Sequence, residues 1–472
     1  MEYQVGNLPY EQPTDLTTLY DQLNLSYQSR HLNAYVKIEQ FQPAAAEKSY
    51  RKFTQRGLRF GDDQFMITLG NFSELLGRGL LLRSYEIPGT ILEDPGFRVR
   101  RGFYRDIEGF ALKYQSRFIA LKALRGKPLV NSLPPTFAEA ARRPNLIDGL
   151  EANLHFLKNL NFGGAYLRHS RDQELTKFST VFISGNLPWG IQIYSEYARQ
   201  AGGSNDFFDF SHGAAHAFYA SASGVRGPAG MSVEYKDYAD FNLKFNDPPP
   251  LIREHSYVVL NRSTHVLEAL NETGWQAEAF LRIAGSHLLT LNASRAENNF
   301  FGRKFIFREI FVEFDYALND LTSVKGFWDR SEDPFKLEKP RHATGLYLEK
   351  AWPRAWGTIL DLEYQAFDRQ PAPAQRVKNY VVAFTLSRAP SVSAGIAWER
   401  TTDPLLTDDP NTDVVESRPR HWVGGAFGYK YNDRHFLNLF YGKRRGGPAC
   451  TAGICYEVLD FEGLEIRISS NF

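Results

Sequence analysis

Apolar and polar residues change places at nearly every position over long stretches of this chain. In 147–157, Leu150, Ala152, Leu154 and Phe156 oppose Gly149, Glu151, Asn153 and His155. In 275–283, Ala277, Ala279, Leu281 and Ile283 oppose Gln276, Glu278 and Arg282, and in 357–366 Leu360, Leu362, Tyr364 and Ala366 oppose Asp361, Glu363 and Gln365. Ala34, Val36 and Ile38 stand against Asn33, Lys37 and Glu39; Ile310, Val312, Phe314 and Tyr316 stand against Glu309, Glu313 and Asp315. Tyr380, Val382, Phe384 and Leu386 share one apolar side. The last run sets Leu464, Ile466, Ile468, Ser470 and Phe472 against Glu465, Arg467, Ser469 and Asn471. A period of two places successive side chains on opposite faces of a strand, so each run predicts a strand with one greasy and one charged face.

A charged face suits bulk water as well as an enclosed aqueous lumen, so alternation alone leaves a soluble sandwich or propeller open. The connections discriminate. Working back from Phe472, tight turns are predicted near Asn432-Asp433, Ala389-Pro390, Pro353-Arg354, Asn319-Asp320, Gly285, Gly227-Pro228, Pro188, Asn159 and Asp62-Asp63. Long polar loops are predicted between them at 446–456, 401–419, 368–376, 329–341, 296–303, 242–273, 201–211, 127–146 and 73–106. Short turns at one end and long loops at the other mark bacterial outer-membrane barrels. A propeller would repeat a motif every 40 to 50 residues or roughly so, and none recurs. With Glu2–Gly6 as a short first strand, followed by 16–28 and 32–41, the count is 24, within a range of about 22 to 24 and of the even parity such barrels have. No linker divides the chain. The expected fold is one all-β, transmembrane, antiparallel up-and-down β-barrel over 1–472, with inward-folded loops.

Composition fits once that geometry is assumed. Hydrophobic residues make up 43% of 472, and mean hydropathy is only -0.39, but a barrel needs every second residue apolar, not a run of about 18. Aromatics at 14% are enough for girdles at two membrane interfaces. A net charge of +1 gives no field that would attract nucleic acid. Met1-Glu2-Tyr3-Gln4 has neither a basic start nor an apolar core, which implies a mature chain in which Met1 stands in place of an export signal. Cys450 and Cys455, the only cysteines, fit either an oxidised loop of an exported protein or two thiols; no third Cys or His lies near enough to complete a metal site.

Candidate chemistry concentrates in two long connections. Segment 73–106 leaves the outer end of a strand, yet carries Leu75, Leu76, Leu80, Leu81 and Leu82, which are poorly suited to water. It is expected to fold into the lumen and narrow it, carrying Arg78, Arg83, Glu86, Arg98, Arg100, Arg101 and Arg105 towards the passage; the alternative is a wall-packed hairpin whose arginines neutralise neighbouring carboxylates. Segment 242–273 opens on Asn246-Asp247-Pro248-Pro249-Pro250 and carries Arg253, Glu254, His255, Asn261, Arg262, His265, Asn271 and Glu272. It reads as a second inward loop or gate, a partner-docking loop, or a solvated loop. The acidic run 403–413 lacks the glycine and closing Glu of a calcium loop and reads as solvated. His169-Ser170 and Ser211-His212 carry no nucleophile elbow, and neighbours on a strand face opposite ways, so no catalytic residues, cofactor or metal are expected.

At 69–86 the chain reads Leu-Gly-Asn-Phe-Ser-Glu-Leu-Leu-Gly-Arg-Gly-Leu-Leu-Leu-Arg-Ser-Tyr-Glu. This resembles a family of uncharacterised outer-membrane β-barrels of Bacteroidota and allied bacteria, with Leu76 where that family usually has Phe. Val259-Leu260-Asn261-Arg262, with Asn271-Glu272-Thr273-Gly274-Trp275-Gln276-Ala277-Glu278, resembles two more of its segments, and Arg445 to Cys455 resembles its cysteine-paired last loop. A final strand ending on Phe472 likewise resembles the terminal signal that barrel assembly machinery reads. The resemblance implies a bacterial outer-membrane location, contact with outer-membrane lipid and with that machinery, and a Cys450–Cys455 disulfide; it brings no activity. The functions expected are passage of small hydrophilic solutes through a polar, loop-constricted lumen or, alternatively, a loop-plugged structural or assembly barrel with a partner protein in the lumen or at the outer loops.

Overall fold

The computed structural model describes residues 1–7, 15–43, 49–94, 99–129, 145–172, 174–201, 215–250, 253–265, 271–300, 302–369, 375–404, 420–451 and 454–472. Twenty-four strands join in one antiparallel sheet, each paired with its neighbours along the chain. The first strand, Glu2–Asn7, closes the ring against the last, Phe461–Ser470, with Gln4 opposite Glu465 and Gly6 opposite Gly463. Closure leaves no edge of unpaired backbone groups, which is the condition for strands to cross a bilayer. Inserted hairpins interrupt the meander at two places: Leu75–Leu76 with Leu82–Arg83 and Tyr85–Asp94 with Val99–Arg105 in one connection, Gly447–Thr451 with Ile454–Val458 in another.

All nine predicted tight turns lie at one end of the barrel, together with both chain termini, the turn 29–31 between the strands expected at 16–28 and 32–41, and a turn the pattern did not signal, 116–118. At the other end sit the long connections, and among the described residues three neighbouring strand pairs there are joined by short ones. The predicted loops 296–303 and 329–341 are instead strands meeting at tight turns, His287–Phe300 with Arg303–Asn319 and Thr322–Asp333 with Glu338–Trp352. A further tight turn joins Leu160–Arg171 to Glu174–Leu187. The reason lies in length: Arg303–Asn319 has 17 residues where roughly 9 to 11 span a bilayer. The excess projects beyond the membrane, both faces become polar, and the period-two signal fades although the ladder continues.

The apolar faces point outward. Tyr3 and Val5 are exposed on the outer wall, while Glu2 and Gln4, alternating with them, are buried inside. Strand Thr18–Gln28 shows what fills the interior. Near the short turns, outward Leu23, Leu25 and Tyr27 and inward Asn24, Ser26 and Gln28 are all exposed, so the barrel is hollow there. Towards the long loops the inward Thr18 and Tyr20 are buried. Aromatics such as Trp189, Trp352, Trp356 and Tyr431 are exposed near the short turns, and Phe53 and Trp275 towards the other rim, as membrane-interface girdles require.

Candidate functional site

The filled half of the lumen is built from two inward segments. In the first, Leu76, Leu80, Leu81 and Leu82 are wholly buried against inward wall residues that include Phe72, Ile107, Leu124, Ile147, Leu167 and Phe178. Each buried leucine contributes about 1.5–3 kcal/mol, which explains why a connection folded into the lumen is so rich in them. At the tip, the Gly77 amide donates to Glu151 Oε2 (2.8 Å) and the Arg78 amide to Glu196 Oε2 (2.7 Å). Both glycines of the Gly-Arg-Gly step are structurally required. Gly77 (φ 58) has the Glu196 carboxylate where a Cβ would stand, and Gly79 (φ 95) has the Asp247 carbonyl there.

The segment's charged residues are tied to the wall, to the second segment or to one another. The Arg78 guanidinium lies 4.4 Å from the Tyr194 ring centre. Glu86 pairs with Lys37, and Arg100 with Glu2 and Gln4, all on barrel strands. Arg101 lies 6.0 Å from the Tyr104 ring centre. Arg83 Nη1 reaches Asp247 Oδ2 at 3.0 Å; Arg105 Nη2 lies 3.8 Å from the same oxygen and donates to the carbonyls of Arg83 and Asn246. Arg98 lies outside the described residues. Buried guanidiniums need such acceptors, because an unpaired buried cation is far costlier than a paired one.

The second segment crosses the other side of the lumen. Arg253 Nη1 pairs with Glu278 (2.7 Å), the Tyr257 hydroxyl donates to Glu313 (2.6 Å), and a short helical turn, Val258–Asn261, places the amides of Val258 and Val259 on the two oxygens of Glu363 at 3.0 and 2.8 Å. Asn261 Nδ2 donates to the His255 carbonyl, and Arg262 pairs with Glu399. His255 and His265 each meet wall carboxylates: His255 Nε2 lies 3.3 Å from Glu309, and His265 Nδ1 lies 3.0 Å from Asp333 with Nε2 3.7 Å from Glu272. Burial opposes charge on His265, but the hydrogen bond to Asp333 and the nearby Glu272 carboxylate outweigh it and hold its pKa above the ordinary value. Glu272 itself belongs to the wall, not to the loop: strand Asn271–Ile283 begins before it, paired with Tyr238, and the carboxylate faces inward against Lys236.

A seam joins the two segments. Arg83 N donates to the Phe245 carbonyl (3.1 Å), Asp247 N to the Gly79 carbonyl (3.1 Å) and Asn246 Nδ2 to the Leu80 carbonyl (3.1 Å). Asp247, shared by Arg83 and Arg105, is the ionic centre of that seam. Burial raises its pKa even though both arginines pull it down.

Below the seam, a recess of about 350 Å³ opens among Asn24, Ser26, Lys37, Arg59, Glu86 and Asp106. Of the remaining predicted positions, His169 faces inward beside Asn145 (2.9 Å) while Ser170 faces out, so that pair is split across the wall. Ser211-His212 and 405–413 lie outside the described residues; Asp403 pairs with Arg369. Cys450 and Cys455 are opposite each other in backbone register, but no disulfide is seen among the described residues, and their side chains are not among those described. Phe472 is fully exposed at the short-turn end.

Several inward residues that bind the segments were not singled out by their sequence context. Glu151, Glu196, Arg341 and Glu363 occupy inward positions of barrel strands. Arg341 is the largest of them and is wholly buried: Nη2 lies 3.4 Å from Glu309, Nε 3.5 Å from Asp329 and Nη1 3.4 Å from Glu338, and Nη1 donates to the Ser263 carbonyl at 2.8 Å. The only signal for them was a charged residue in the polar phase of a strand, which also describes residues that merely line water.

A family model described as a family of unknown function (DUF6029) matches residues 7–300. No curated protein sequence matches the chain. Among solved structures, the P pilus usher (PapC) translocation pore is similar at TM-score 0.48 and 9% identity, over 99% of this chain and 97% of that one. OprD from Pseudomonas aeruginosa is similar at 0.38 and 11%, over 70% and 86%. OpdQ from Pseudomonas aeruginosa is similar at 0.40 and 14%, over 70% and 91%. These are likenesses of one barrel to another, and nothing about cargo follows from them.

Proposed function

The chain belongs to the DUF6029 family of unknown function, and from that premise we propose that it is a bacterial outer-membrane channel, closed at rest, that passes small hydrophilic solutes when an inward segment shifts. The observation that carries this reading is the contrast along the lumen: inward polar residues are water-exposed near the short turns and buried near the long loops. A wall of 24 strands encloses more volume than its own side chains fill. A hollow half lined by Asn24, Ser26, Gln28 and Arg59 would admit a polar solute as far as the seam. Arg78, Arg83, Glu86, Arg100, Arg101 and Arg105 on the first segment, with Arg253, Asn261 and Arg262 on the second, form the constriction in this reading, and Glu272 contributes from the wall. A second reading, a plugged structural or assembly barrel, is favoured by the number of ion pairs that fasten both segments.

Planar-bilayer recording separates the two. The intact barrel is expected to be mostly silent with brief openings, and deletion of Arg253–His265 to give steady conductance. A deletion variant that still migrates as a folded, heat-modifiable barrel but never conducts would overturn the channel reading in favour of the second.

A further inference from the structure

We propose that the outer wall carries a binding site for the phosphate of an anionic lipid, formed by Arg125, Arg168 and Lys177 around Asp148. The four residues sit side by side on adjacent strands, Ile119–Pro128, Asn145–Leu157, Leu160–Arg171 and Glu174–Leu187, as successive cross-strand partners. Their sequence neighbours Leu124, Ile147, Leu167 and Phe178 are buried inward, so period two sends all four outward. Arg125 Nη1 lies 3.4 Å from Asp148 Oδ1; Arg168 Nη2 and Nε lie 2.6 and 2.8 Å from Oδ2. Arg125 is 50% and Arg168 43% exposed, and Lys177 is exposed beside them.

Two guanidiniums share the one carboxylate and Lys177 lies beside Arg168, so the row keeps a positive excess and guanidinium N–H donors turned away from Asp148. Exposed ion pairs of this kind contribute little to stability, so folding alone does not explain the surplus. The patch also continues sideways, where Arg56 lies 3.8 Å from Glu108 and Lys127 is the cross-strand partner of that glutamate. Its depth identifies the ligand. Next towards the bilayer on the same strands, Leu150 and Tyr166 are exposed cross-strand partners, with Phe162 beyond them. A phosphate seated between the guanidiniums would leave its acyl chains lying over those three side chains. Arginine pairs with phosphate through two parallel hydrogen bonds, and Asp148 holds both guanidiniums on the same stretch of wall. The site does not depend on whether the lumen conducts.

The test uses the whole barrel in detergent and native mass spectrometry, titrated with dioleoyl phosphatidic acid or dioleoyl phosphatidylcholine. Retention of phosphatidic acid over phosphatidylcholine is expected, falling by about fivefold for each cation removed in Arg125→Ala, Arg168→Ala and Lys177→Ala, and unchanged in Arg376→Ala/Lys378→Ala on the far wall. Lys177→Glu alone, which leaves the Asp148 pairs intact, should reduce it as well. The proposal is overturned if there is no preference, if the preference survives the triple variant and Lys177→Glu, or if equimolar inorganic phosphate displaces the lipid, which would make the ligand a soluble phosphate.

Discussion

The two halves of the barrel's interior obey the same sequence rule and arrive at opposite states. On strand Thr18–Gln28, the inward residues near the long loops are buried and those near the short turns face water, with no break in the alternation. The strand therefore determines which way a side chain points, and what it meets is determined by chain inserted from elsewhere. The packed half is a small second core whose leucines come from 73–106 and whose charges are balanced between wall and loop. The hollow half lacks those insertions and keeps solvated amides and hydroxyls.

The largest effect on that contrast is expected from Arg341→Ala. It strands Glu309, Asp329 and Glu338 together without their cation and removes the donor to Ser263, at a cost of about 3–5 kcal/mol. Thermal unfolding in detergent should show the loss, and proteolysis should then cut within 253–265; an unchanged melting temperature would mean the packed half does not depend on this network. Phe314→Arg, on the outward face of the membrane-spanning stretch, should cost about 2–4 kcal/mol, whereas Asn24→Arg in the hollow half should be nearly neutral. Equal effects would erase the distinction between lipid face and lumen.

Asp247→Ala leaves Arg83 and Arg105 without their shared carboxylate, at a cost of about 1–3 kcal/mol, and should lengthen channel openings without unfolding the barrel. A smaller effect is expected from pH. The His265 pKa is raised in the folded state, so its grip on Asp333 and Glu272 is fully present below the ordinary value of 6.5 and is lost as pH rises through the raised one. Raising pH across that window should increase cleavage of the second segment, and His265→Gln should abolish the dependence. Smallest of all, the Cys450–Cys455 register predicts a disulfide that reduction and alkylation would reveal by mass, with little change in barrel stability.

Much of this was legible in the sequence. Period-two patterning gave the faces, because lipid and lumen impose opposite demands on neighbouring residues, and the taking of turns by short and long connections gave the strand count and gathered the short turns at one end. The leucines of 73–106 signalled an inward segment because a solvated loop would not carry them. The pattern was misread at 296–303 and 329–341, where strands outrun the membrane and both faces turn polar. It was silent on Asp247, Glu196 and Arg341, whose partners come from strands or loops far away in sequence. Arginine content marked 73–106 as charged, and one of its two readings had those arginines neutralise neighbouring carboxylates, but nothing in the pattern named Glu2 and Asp247 as the partners or Lys37 as the partner of Glu86.

The filled and hollow halves can be told apart most directly by cysteine accessibility, in a background with Cys450 and Cys455 replaced by Ser. Gln4→Cys, Asn24→Cys and Leu25→Cys would each be reconstituted in lipid and exposed to a charged maleimide. Asn24→Cys should react rapidly, while Gln4→Cys, under the inward segments, and Leu25→Cys, in lipid, should resist. Equal labelling of Gln4→Cys and Asn24→Cys would contradict a closed long-loop half, and rapid labelling of Leu25→Cys would contradict the membrane-facing wall itself.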